Sequence, residues 1–500
     1  MKIFSVAQIK NWDSYTIQHE TIQSIDLMER AATAVFEWVT ENFDEDCSFK
    51  IFCGRGNNGG DGLAVARLLN SIKFKVSVFI PFSNSPGSED FETNLKRLKA
   101  TSVEITFLKE GQPFPKCTGQ EVIIDALFGT GLNKKPAELY AQLIDYINSV
   151  NSPVISIDVP SGLFIEKDSA GNNVIEAKYT LTFQNQKLAF LLPENEQYVG
   201  QVSLLDIGLA KEFEKKEEAQ FDFIDCKIIK GIYHPRKDFS NKGNYGYACL
   251  LAGSYGMMGA AVLSSSACLR SGVGKLTCVT CEAGYNIIQT RVPEAMCKIY
   301  GDKYIKGFDD FSDYDVIGIG PGIGKYESHK KLLEELFLKS NKLLVLDADA
   351  LNTLSENPEL YHSIPANTII TPHPKEFERL FGKTQSDFER VDLALSKAKE
   401  LNIFIVLKGH HTFIATPNGK GFFNSTGNSG MATAGAGDVL TGIITGLLAQ
   451  KYSGLNSCLM GVYLHGLSGD IAANKISKEA LIAGDIVENL GNAFKEISGI

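Results

Sequence analysis

Residues 424–442 read Asn424-Ser-Thr-Gly-Asn-Ser-Gly-Met-Ala-Thr-Ala-Gly-Ala-Gly-Asp-Val-Leu-Thr-Gly442, a glycine-rich turn that leads into an apolar helix with one carboxylate at the junction. The free N–H groups of a first helical turn and the helix dipole favour a bound anion such as phosphate. Gly435 and Gly437 let the backbone approach that anion without a Cβ, and Asp438 is placed to take a proton from a hydroxyl beside it. The stretch predicts an α/β unit with a phosphoryl-transfer site, against the alternative of an ordinary glycine-containing helix start.

The composition is that of an ordinary globular protein large enough for two or more domains. The chain has 500 residues, 44% of them hydrophobic and 22% charged, and single cores rarely grow beyond about 300 residues. Its net charge of −10 argues against a nucleic-acid or membrane partner. No apolar run reaches the length of a membrane span, and the ten cysteines lack the spacing of a disulfide framework. We therefore expect a cytoplasmic protein.

Strand-like and helix-like segments alternate along the chain, with one interruption. Residues 211–218 are mostly charged, break the pattern and indicate a linker. We place the domain boundary there, with a first domain of residues 1–214 and a second of residues 215–500. Strands separated by helices form parallel sheets covered on both faces, so we expect two doubly wound α/β domains, the first a Rossmann-like three-layer sandwich. The strands are expected at residues 49–53, 75–80, 121–125, 154–158, 247–251, 316–319, 343–346, 368–370 and 404–407.

The first domain contains a glycine loop that fails the test for a dehydrogenase. Gly54-Arg-Gly-Asn-Asn-Gly59 matches the dinucleotide-binding pattern between a strand and a helix. That fold needs an acidic residue at the end of the next strand to hold a ribose, and residues 79–84 contain none. The loop can still wrap a phosphate at a helix N-terminus.

Polar residues also follow other strands of the first domain. Asp125 and Asp158 each end a strand before a loop of small residues, and Ser161 lies in the second of these loops. Strand ends of a parallel sheet line one crevice, where Asn58 and Asp61 would join them. Carboxylates, an amide and a hydroxyl suit a monovalent cation and an acid or base. A single aspartate could merely cap the next helix, but three together favour a site.

Loops of the second domain recur after strands in a fixed order. Each is a weak signal alone, because glycine and proline are common in turns. His373 could simply pack between its two prolines and Lys408 could be solvated, although its place after a buried strand and before a glycine favours a phosphate contact. The loops are residues 253–261, 320–324, 347–351, 371–376 and 408–412, ahead of the turn at 435–438.

The first domain resembles the NAD(P)HX epimerase family in residues 27–32, 57–62, 125–132 and 158–162. That family interconverts the R and S forms of NADH or NADPH that have added water at C6 of the nicotinamide ring. The resemblance implies that Asp158 contacts the reacting ring. We expect Asp158 to transfer the proton, because it is not needed as an ion ligand. The resemblance implies potassium ligands at Asn58, Asp125 and Ser161. The implied dinucleotide-binding residues are Asn57, Asn58, Gly59, Gly60, Asp61, Gly129, Thr130, Gly131, Leu132, Asn133, Lys134, Lys135, Tyr140 and Asp158.

The second domain resembles the ADP- or ATP-dependent NAD(P)H-hydrate dehydratase family of ribokinase-like fold, through the order of its loops. Its turn departs from the family pattern, since Ala434 and Ala436 stand where the family has glycine and threonine, while Gly435, Gly437 and Asp438 remain. The residues implied to bind the hydrated dinucleotide are Ala260, Gly322, His373 and Asp438. Those implied to bind the adenine nucleotide are Lys408, Gly409, His410, His411, Thr412 and Gly437.

The two resemblances together cover nearly the whole chain in the arrangement of the bifunctional NAD(P)H-hydrate repair enzymes. They imply epimerisation of hydrated NADH and NADPH, followed by dehydration in which Asp438 is the general base and ADP or ATP with magnesium is the phosphate donor. Fused members resemble ADP-using enzymes, so ADP is favoured. We also expect a homo-oligomer. The alternatives are a ribokinase-like vitamin-precursor kinase and an N-terminal domain that only binds nucleotide.

Overall fold

The computed structural model describes residues 1–499 as two compact units. One is built mainly from residues 2–219 and the other mainly from residues 220–499. Besides short 3₁₀ helices, the first contains β1 (Lys2–Ile3), α1 (Val6–Glu20), α2 (Ser24–Asn42), β2 (Ser48–Cys53), α3 (Asn57–Ser71), β3 (Lys75–Pro81), α4 (Glu89–Lys99), β4 (Glu104–Leu108), β5 (Val122–Ala126), α5 (Glu138–Ser149), β6 (Val154–Ile157), β7 (Tyr179–Phe183), α6 (Glu196–Val199), β8 (Gln201–Leu205) and α7 (Lys211–Lys216).

The N-terminal unit is organised by a seven-stranded sheet in the order β4-β3-β2-β5-β6-β7-β8. All its neighbouring strands are parallel. Its central strands are short apolar runs, and β5 is buried along its whole length, as a sheet covered on both faces requires. The strand order reverses between β2 and β5. Because ligands bind at the carboxyl ends of strands beside such a reversal, the loops after β2, β5 and β6 border one crevice.

The charged stretch at residues 211–218 is part of the N-terminal unit, and its prediction as a linker is wrong. It forms α7, whose Phe213 stacks on Trp12 of α1 with ring centroids 6.0 Å apart. Trp12 is buried, and its Nε1 donates to the Ala210 carbonyl at 2.8 Å. One apolar ring among the charges is therefore enough to hold this helix in the fold.

The C-terminal unit is larger and mixes helices and strands along its whole length. Its elements are β9 (Phe221–Ile224), α8 (Cys226–Ile232), β10 (Tyr247–Leu251), α9 (Met258–Arg270), β11 (Lys275–Thr280), α10 (Tyr285–Arg291), β12 (Met296–Ile299), β13 (Val316–Ile319), α11 (Ser328–Lys339), β14 (Leu343–Leu346), α12 (Ala348–Glu356), β15 (Ile369–Ile370), α13 (Pro374–Phe381), α14 (Asp387–Leu401), β16 (Phe404–Leu407), β17 (Phe413–Ala415), β18 (Gly421–Asn424), α15 (Ala436–Ala449), α16 (Gly454–Ile476) and α17 (Ala483–Ser498).

The strands of this unit lie in the order β9-β18-β17-β16-β15-β14-β13-β10-β11-β12. They confirm the doubly wound α/β fold, with one addition. Strand β17 runs antiparallel to both β16 and β18, because the Pro417-Asn-Gly419 turn reverses the chain where a helix would otherwise return it. Gly419 has a φ of +81°, a conformation that glycine adopts without strain. The strand order reverses between β13 and β10, so the following loops border a second crevice.

Helices α9 and α15 pack unusually closely over this sheet. A Cβ built on Gly442 of α15 would lie 2.1 Å from the Ser264 carbonyl oxygen of α9, and one on Gly446 would lie 2.0 Å from Ser271 Oγ. The glycines therefore set the separation of the two helices. Since α15 begins beside Asp438 and α9 begins beside Ala260, this packing also fixes the spacing of two predicted site residues.

Across residues 1–499, none of the helices combines the length and the apolar character needed to cross a membrane.

We predict that Gly442→Ala destabilises the protein while Gly491→Ala does not. The first methyl group would meet a backbone oxygen that cannot rotate away, at a cost of about 3 kcal/mol. A Cβ at Gly491 of α17 meets nothing within 4 Å, so alanine should gain about 0.5–1 kcal/mol of helix propensity. Urea unfolding followed by circular dichroism measures both changes, and equal stabilisation by the two substitutions would contradict the close packing of α9 and α15.

Candidate active sites

The crevice of the N-terminal unit is bordered by two loops pressed together backbone to backbone. A Cβ on Gly54, after β2, would lie 1.9 Å from the Leu127 carbonyl oxygen, and one on Gly59 would lie 1.9 Å from the Gly54 oxygen. Only glycine allows this approach. It holds the start of α3 against the loop after β5 and buries Asn58 in the first helical turn.

Asn58 brings an unsatisfied amide into this crevice. Among residues 1–499, neither its side-chain oxygen nor its side-chain nitrogen finds a hydrogen-bond partner, although both are buried. A Cβ on Gly129 would lie 3.3 Å from Asn58 Cγ and 3.0 Å from Asp158 Oδ2. Three residues predicted from separate motifs therefore meet. Because buried polar groups are normally satisfied, the free amide fits a ligand.

Asp125 is fully buried in a ring of donors beside Asn58's loop. Its carboxylate accepts hydrogen bonds from Ser156 Oγ at 2.8 Å, Ser161 Oγ at 2.6 Å and the backbone N–H of Ser161 at 2.9 Å. Burial raises the pKa of Asp125, and the hydrogen bonds from Ser161 oppose that rise. The hydroxyl of Ser161 also lies 3.2 Å from the Phe128 carbonyl. Carboxylate, hydroxyl and carbonyl oxygens are together what a hard cation requires.

Asp158 occupies a strained turn at the end of β6. Its φ is +65°, in the left-handed region that residues other than glycine rarely adopt. Its N–H donates to the Leu181 carbonyl of β7 at 2.7 Å, and its Oδ2 accepts from the Thr130 N–H at 3.1 Å. These contacts hold the carboxylate at the mouth of the crevice.

Lys187 is a site residue that the sequence did not reveal. Its Nζ lies 3.6 Å from Asp158 Oδ1, and its side chain is 1% exposed. It donates to the carbonyl oxygens of Phe183 at 2.9 Å and Asn185 at 3.0 Å. Burial lowers the pKa of Lys187 against the opposing charges of Asp158 and Asp13. Lys187 follows β7 in an irregular segment, outside any motif, so no sequence signal marked it.

Two further carboxyls face the same cluster from different helices. Burial, followed by repulsion from Asp158 and Asp13, raises the pKa of Asp61 on α3 well above its usual range. Burial and then repulsion from Asp158 raise the pKa of Asp13 on α1 to about 7. Asp61 was predicted from its loop, whereas Asp13 stands in a helix with no motif. The crevice therefore contains at least two carboxyls whose pKa values are raised.

The other predicted residues of this site differ in exposure. Gly59 and Gly60 are buried in the start of α3, whereas Asn57 is exposed. Tyr140 packs on Phe128, with ring centroids 4.7 Å apart. Lys135 Nζ donates to the Gly171 carbonyl at 3.2 Å. The rest of the loop from Gly131 to Lys135 lies mostly at the surface, with Gly131, Asn133, Lys134 and Lys135 exposed and Leu132 half-buried.

A buried ion pair lies at the centre of the C-terminal site. Lys408, after β16, donates from Nζ to Asp347 Oδ1 at 2.8 Å, and Thr441 of α15 donates to Asp347 Oδ2 at 2.6 Å. Asp347 follows β14 and is 1% exposed. Burial alone would lower the pKa of Lys408, but the carboxylates of Asp347 and Glu376 raise it above its usual value. Asp347 and Thr441 were not predicted as site residues, because their pairing joins segments 94 positions apart.

Asp438 lies at the start of α15, beside this pair. Gly435 before it has a φ of +91° and begins the helix, and a Cβ on Gly437 would lie 3.3 Å from Lys408 Nζ. Burial and then repulsion from Asp347 raise the pKa of Asp438 to about 7, against the lowering effect of Lys408. A carboxyl that titrates near neutral pH at a helix N-terminus can act as a general base beside a bound phosphate.

His373 caps α13 rather than merely packing between prolines. Its Nδ1 accepts hydrogen bonds from the N–H groups of Lys375 at 3.1 Å and Glu376 at 3.3 Å, while Glu376 accepts from the His373 N–H. Burial lowers the pKa of His373, and the charge of Lys408 lowers it further. The imidazole is therefore neutral, with its proton on Nε2. The ring is 43% exposed, so Nε2 can reach a ligand.

Ala260 and Gly322 meet at the mouth of the second crevice. A Cβ on Gly322 would lie 2.9 Å from the Ala260 Cβ, so the two loops touch. Residues that flank Ala260 line a cavity of about 570 Å³, whose wall also includes Leu263 and Arg291. Leu263 is the side chain that a Cβ on Gly435 would meet at 2.5 Å. The cavity therefore adjoins the turn that carries Asp438.

Residues 409–412 form a tight turn after Lys408. Thr412 Oγ1 donates to the Gly409 carbonyl at 3.0 Å and accepts from the Gly409 N–H at 3.3 Å. His411 Nδ1 lies 2.9 Å from the Asn424 carbonyl, and burial lowers the pKa of His411 to about 4. His410 is exposed beside it. The turn thus leaves the backbone of Gly409 and the imidazole of His410 exposed directly after Lys408 in the chain.

Comparison with known proteins finds one matching family model in each unit. Residues 24–189 match the family model described as YjeF-related protein N-terminus, and residues 248–491 match the model described as NAD(P)H-hydrate dehydratase. The crystal structure of the ADP/ATP-dependent NAD(P)H-hydrate dehydratase from Bacillus subtilis, co-crystallised with ATP and Mg²⁺, is 34% identical and superposes with a TM-score of 0.51. It covers 55% of this chain and 98% of its own, which agrees with an α/β C-terminal unit of the same fold.

Full-length relatives carry both units in the same order. The bifunctional NAD(P)H-hydrate repair enzyme of Moorella thermoacetica is 31% identical over 99% of this chain and 97% of its own length. That of Escherichia coli is 33% identical over 93% of this chain and 88% of its own. The chain therefore belongs to the family of bifunctional NAD(P)H-hydrate repair enzymes.

Proposed function

We propose that the chain divides the repair of hydrated NADH and NADPH between its two units, with epimerisation in residues 1–214 and dehydration in residues 215–500. The positions of the two matched family models, 24–189 and 248–491, support this division. The match to bifunctional relatives over nearly the whole chain favours it over a vitamin-precursor kinase with an accessory binding module. The cytoplasmic location and the homo-oligomeric state expected from the sequence stay predictions.

Dehydration begins with removal of a proton by Asp438. The hydroxyl at C6 of the hydrated ring is a poor leaving group, and phosphorylation converts it into a good one. Asp438 accepts the hydroxyl proton as the oxygen attacks the terminal phosphate. The C6 oxygen then departs with the phosphoryl group, assisted by the ring nitrogen, and loss of a C5 proton restores the dihydropyridine. The observation that carries this role is the buried Asp438 carboxyl at the helix N-terminus beside Lys408.

The adenine nucleotide binds along the turn after Lys408. Residues 408–412 and Gly437 hold this nucleotide, and Gly437 borders the Lys408 ammonium, which stabilises negative charge on the transferred group. The donor is ADP or ATP, with ADP favoured by the fused arrangement of the chain. Magnesium bound together with the nucleotide would supply positive charge that neutralises the phosphates. The combination of an adenine nucleotide with magnesium is supported by the Bacillus subtilis dehydratase, which was co-crystallised with ATP and Mg²⁺.

The hydrated dinucleotide lies between Ala260, Gly322, His373 and Asp438. His373 presents a neutral imidazole whose Nε2 can donate to the substrate, because Nδ1 is engaged in the helix cap. The cavity of about 570 Å³ beside Ala260 is large enough for part of a dinucleotide. Its apolar wall suits a base or ribose, and Arg291 supplies a cation for phosphate.

Epimerisation requires a proton acceptor at C6, and we assign that role to Asp158. The surrounding residues Asn57 to Asp61 and Gly129 to Lys135, with Tyr140, hold the dinucleotide. Potassium fits the oxygen donors of Asn58, Asp125 and Ser161, since Asn58 has an unsatisfied amide oxygen there. A bound potassium ion would supply positive charge next to the substrate's phosphates and ribose.

We predict that each of two Asp→Asn variants loses one of the two activities and keeps the other. Asp438→Asn should lower the dehydration rate by about 100-fold to 10,000-fold and leave epimerisation intact, because it removes the base of one unit only. Asp158→Asn should do the reverse. The recovery of NADH absorbance from separate R and S substrates measures both activities. Comparable loss of both activities in either variant would reject the division between the units.

We predict that kcat/KM for dehydration falls about tenfold per pH unit below about 7. The raised pKa of Asp438 means that the carboxyl becomes protonated there and can no longer accept a proton. The same rise affects stability, because the folded protein keeps a proton that the unfolded chain has lost. The contribution of Asp438 to folding stability is therefore full below about pH 4 and is lost as the pH rises through about 7.

Asp438→Asn provides the control, because the folding stability of this variant should lack the pH dependence that the Asp438 carboxyl contributes. Thermal unfolding of both proteins across this range measures the difference. A dehydration profile that stays flat through neutral and mildly acidic pH would exclude Asp438 as the titrating base.

We predict that replacing potassium with tetramethylammonium lowers the epimerisation rate and leaves dehydration unchanged. Asn58→Ala should abolish the response, because it removes the unsatisfied amide oxygen. A potassium titration with the R epimer as substrate measures the dependence, and the dehydration rate of the S epimer in the same buffers is the internal control. Equal epimerisation in both salts would reject the potassium site.

A further inference from the structure

Lys187 is a buried cation for which the two proposed reactions leave no role. Its ammonium is 1% exposed and is held by two backbone carbonyls, those of Phe183 and Asn185. Taking an ammonium out of water is costly unless charge compensates it. The compensating carboxylate in contact is Asp158, at 3.6 Å. The fold thus sustains a buried charge next to the residue assigned to proton transfer.

Two further carboxyls lie near this pair. Asp13 approaches from α1 and interacts with both Lys187 and Asp158, while Asp61 approaches from α3 and is repelled by Asp158, Asp13 and Asp90. Carboxyls that repel one another in this way cannot all be ionised at little cost. Burial and mutual repulsion raise the pKa of Asp61 well above its usual range and that of Asp13 to about 7. Asp158 is the carboxylate in contact with the ammonium.

Strand β7 positions both members of the pair. The Asp158 N–H donates to Leu181 within this strand, and Lys187 Nζ donates to Phe183 at its end. The strained φ of Asp158 and the placement of Lys187 are therefore set by one short segment of backbone. The ammonium of Lys187 is thereby fixed by backbone carbonyls beside the Asp158 carboxylate.

We propose that Lys187 is a positioning residue of the epimerase, which holds the Asp158 carboxylate in place through their contact so that Asp158 can accept the C6 hydroxyl proton. The inference rests on the proposed role of Asp158. It adds to that role the residue through which the carboxylate is fixed.

The proton transfer balances without any further reactant. The O–H bond at C6 breaks and its proton passes to Asp158, while its electron pair forms the C6 carbonyl. The C6–N1 bond breaks, and its pair goes to N1, which takes a proton from a neutral carboxyl such as Asp61. Rotation about the C5–C6 bond presents the other carbonyl face, and the reverse steps give the other epimer. No atom is oxidised or reduced.

Lys187→Met tests the proposal in the full-length protein, since methionine nearly fills the space and removes the charge. We expect kcat for epimerisation at neutral pH to fall about 10-fold to 1,000-fold with little change in KM. The acidic limb of the pH profile should move upward by about 1–3 units, so that activity recovers in alkaline buffer. Lys178→Met is the matched control, because Lys178 lies in the same unit but is exposed and should change neither quantity.

Circular dichroism and the emission of Trp12 and Trp38, which belong to the same unit as Lys187, report whether that unit has folded. A Lys187→Met protein that loses epimerisation at every pH with an unmoved limb, or that keeps the wild-type profile, would overturn the proposal. Absence of epimerisation in the wild-type protein would instead overturn the proposed function itself.

Asp13→Asn is the second variant, and it keeps the proposal testable if Lys187→Met fails to fold. It removes a carboxyl that repels Asp158, so the acidic limb should move downward, opposite to the Lys187 variant. A limb that stays at its wild-type position would contradict an electrostatic cluster around Asp158.

Discussion

The buried contact between Lys408 and Asp347 is the interaction on which the C-terminal site depends. It joins the ends of β16 and β14, which are separated in the sheet by β15, and Thr441 extends it to α15. Removing one partner of such a pair would leave an uncompensated buried charge, at a cost of about 3–5 kcal/mol. The same two charges act on Asp438 in opposite directions. The arrangement therefore fixes the strand ends and adjusts the proton affinity of the base together.

The N-terminal unit also contains a buried contact between a lysine and an aspartate, but other contacts hold the two side chains. There too a lysine contacts one aspartate while other carboxyls remain nearby. The lysine is fixed by backbone carbonyls rather than by a helix side chain, and the aspartate is held by a strained turn. In both units, burial raises the pKa of carboxyls that lie near a buried lysine–aspartate contact, namely Asp13 and Asp61 in the first unit and Asp438 in the second. Each site can thus provide a base near neutral pH.

Motifs that depend on the backbone could be predicted from the sequence. Gly435 and Gly54 mark places where a Cβ cannot fit, and Asp125 and Asp158 follow apolar runs that form strands. Contacts between side chains far apart in the chain could not be predicted. Lys187 lies in an irregular segment and Asp13 in an ordinary helix, so their significance comes only from the fold. The antiparallel hairpin of β17 and β18 was missed because its strands are too short to show a period.

Trp12 and its contacts in the N-terminal unit have an optical consequence. The chain has two tryptophans, at positions 12 and 38, and both belong to this unit. The intrinsic tryptophan emission of the protein therefore originates in the N-terminal unit, where Trp12 lies on α1 and Trp38 on α2. Trp12 adjoins Asp13 in the sequence and donates to Ala210. Its fluorescence offers a label-free signal for dinucleotide binding at one of the two active sites.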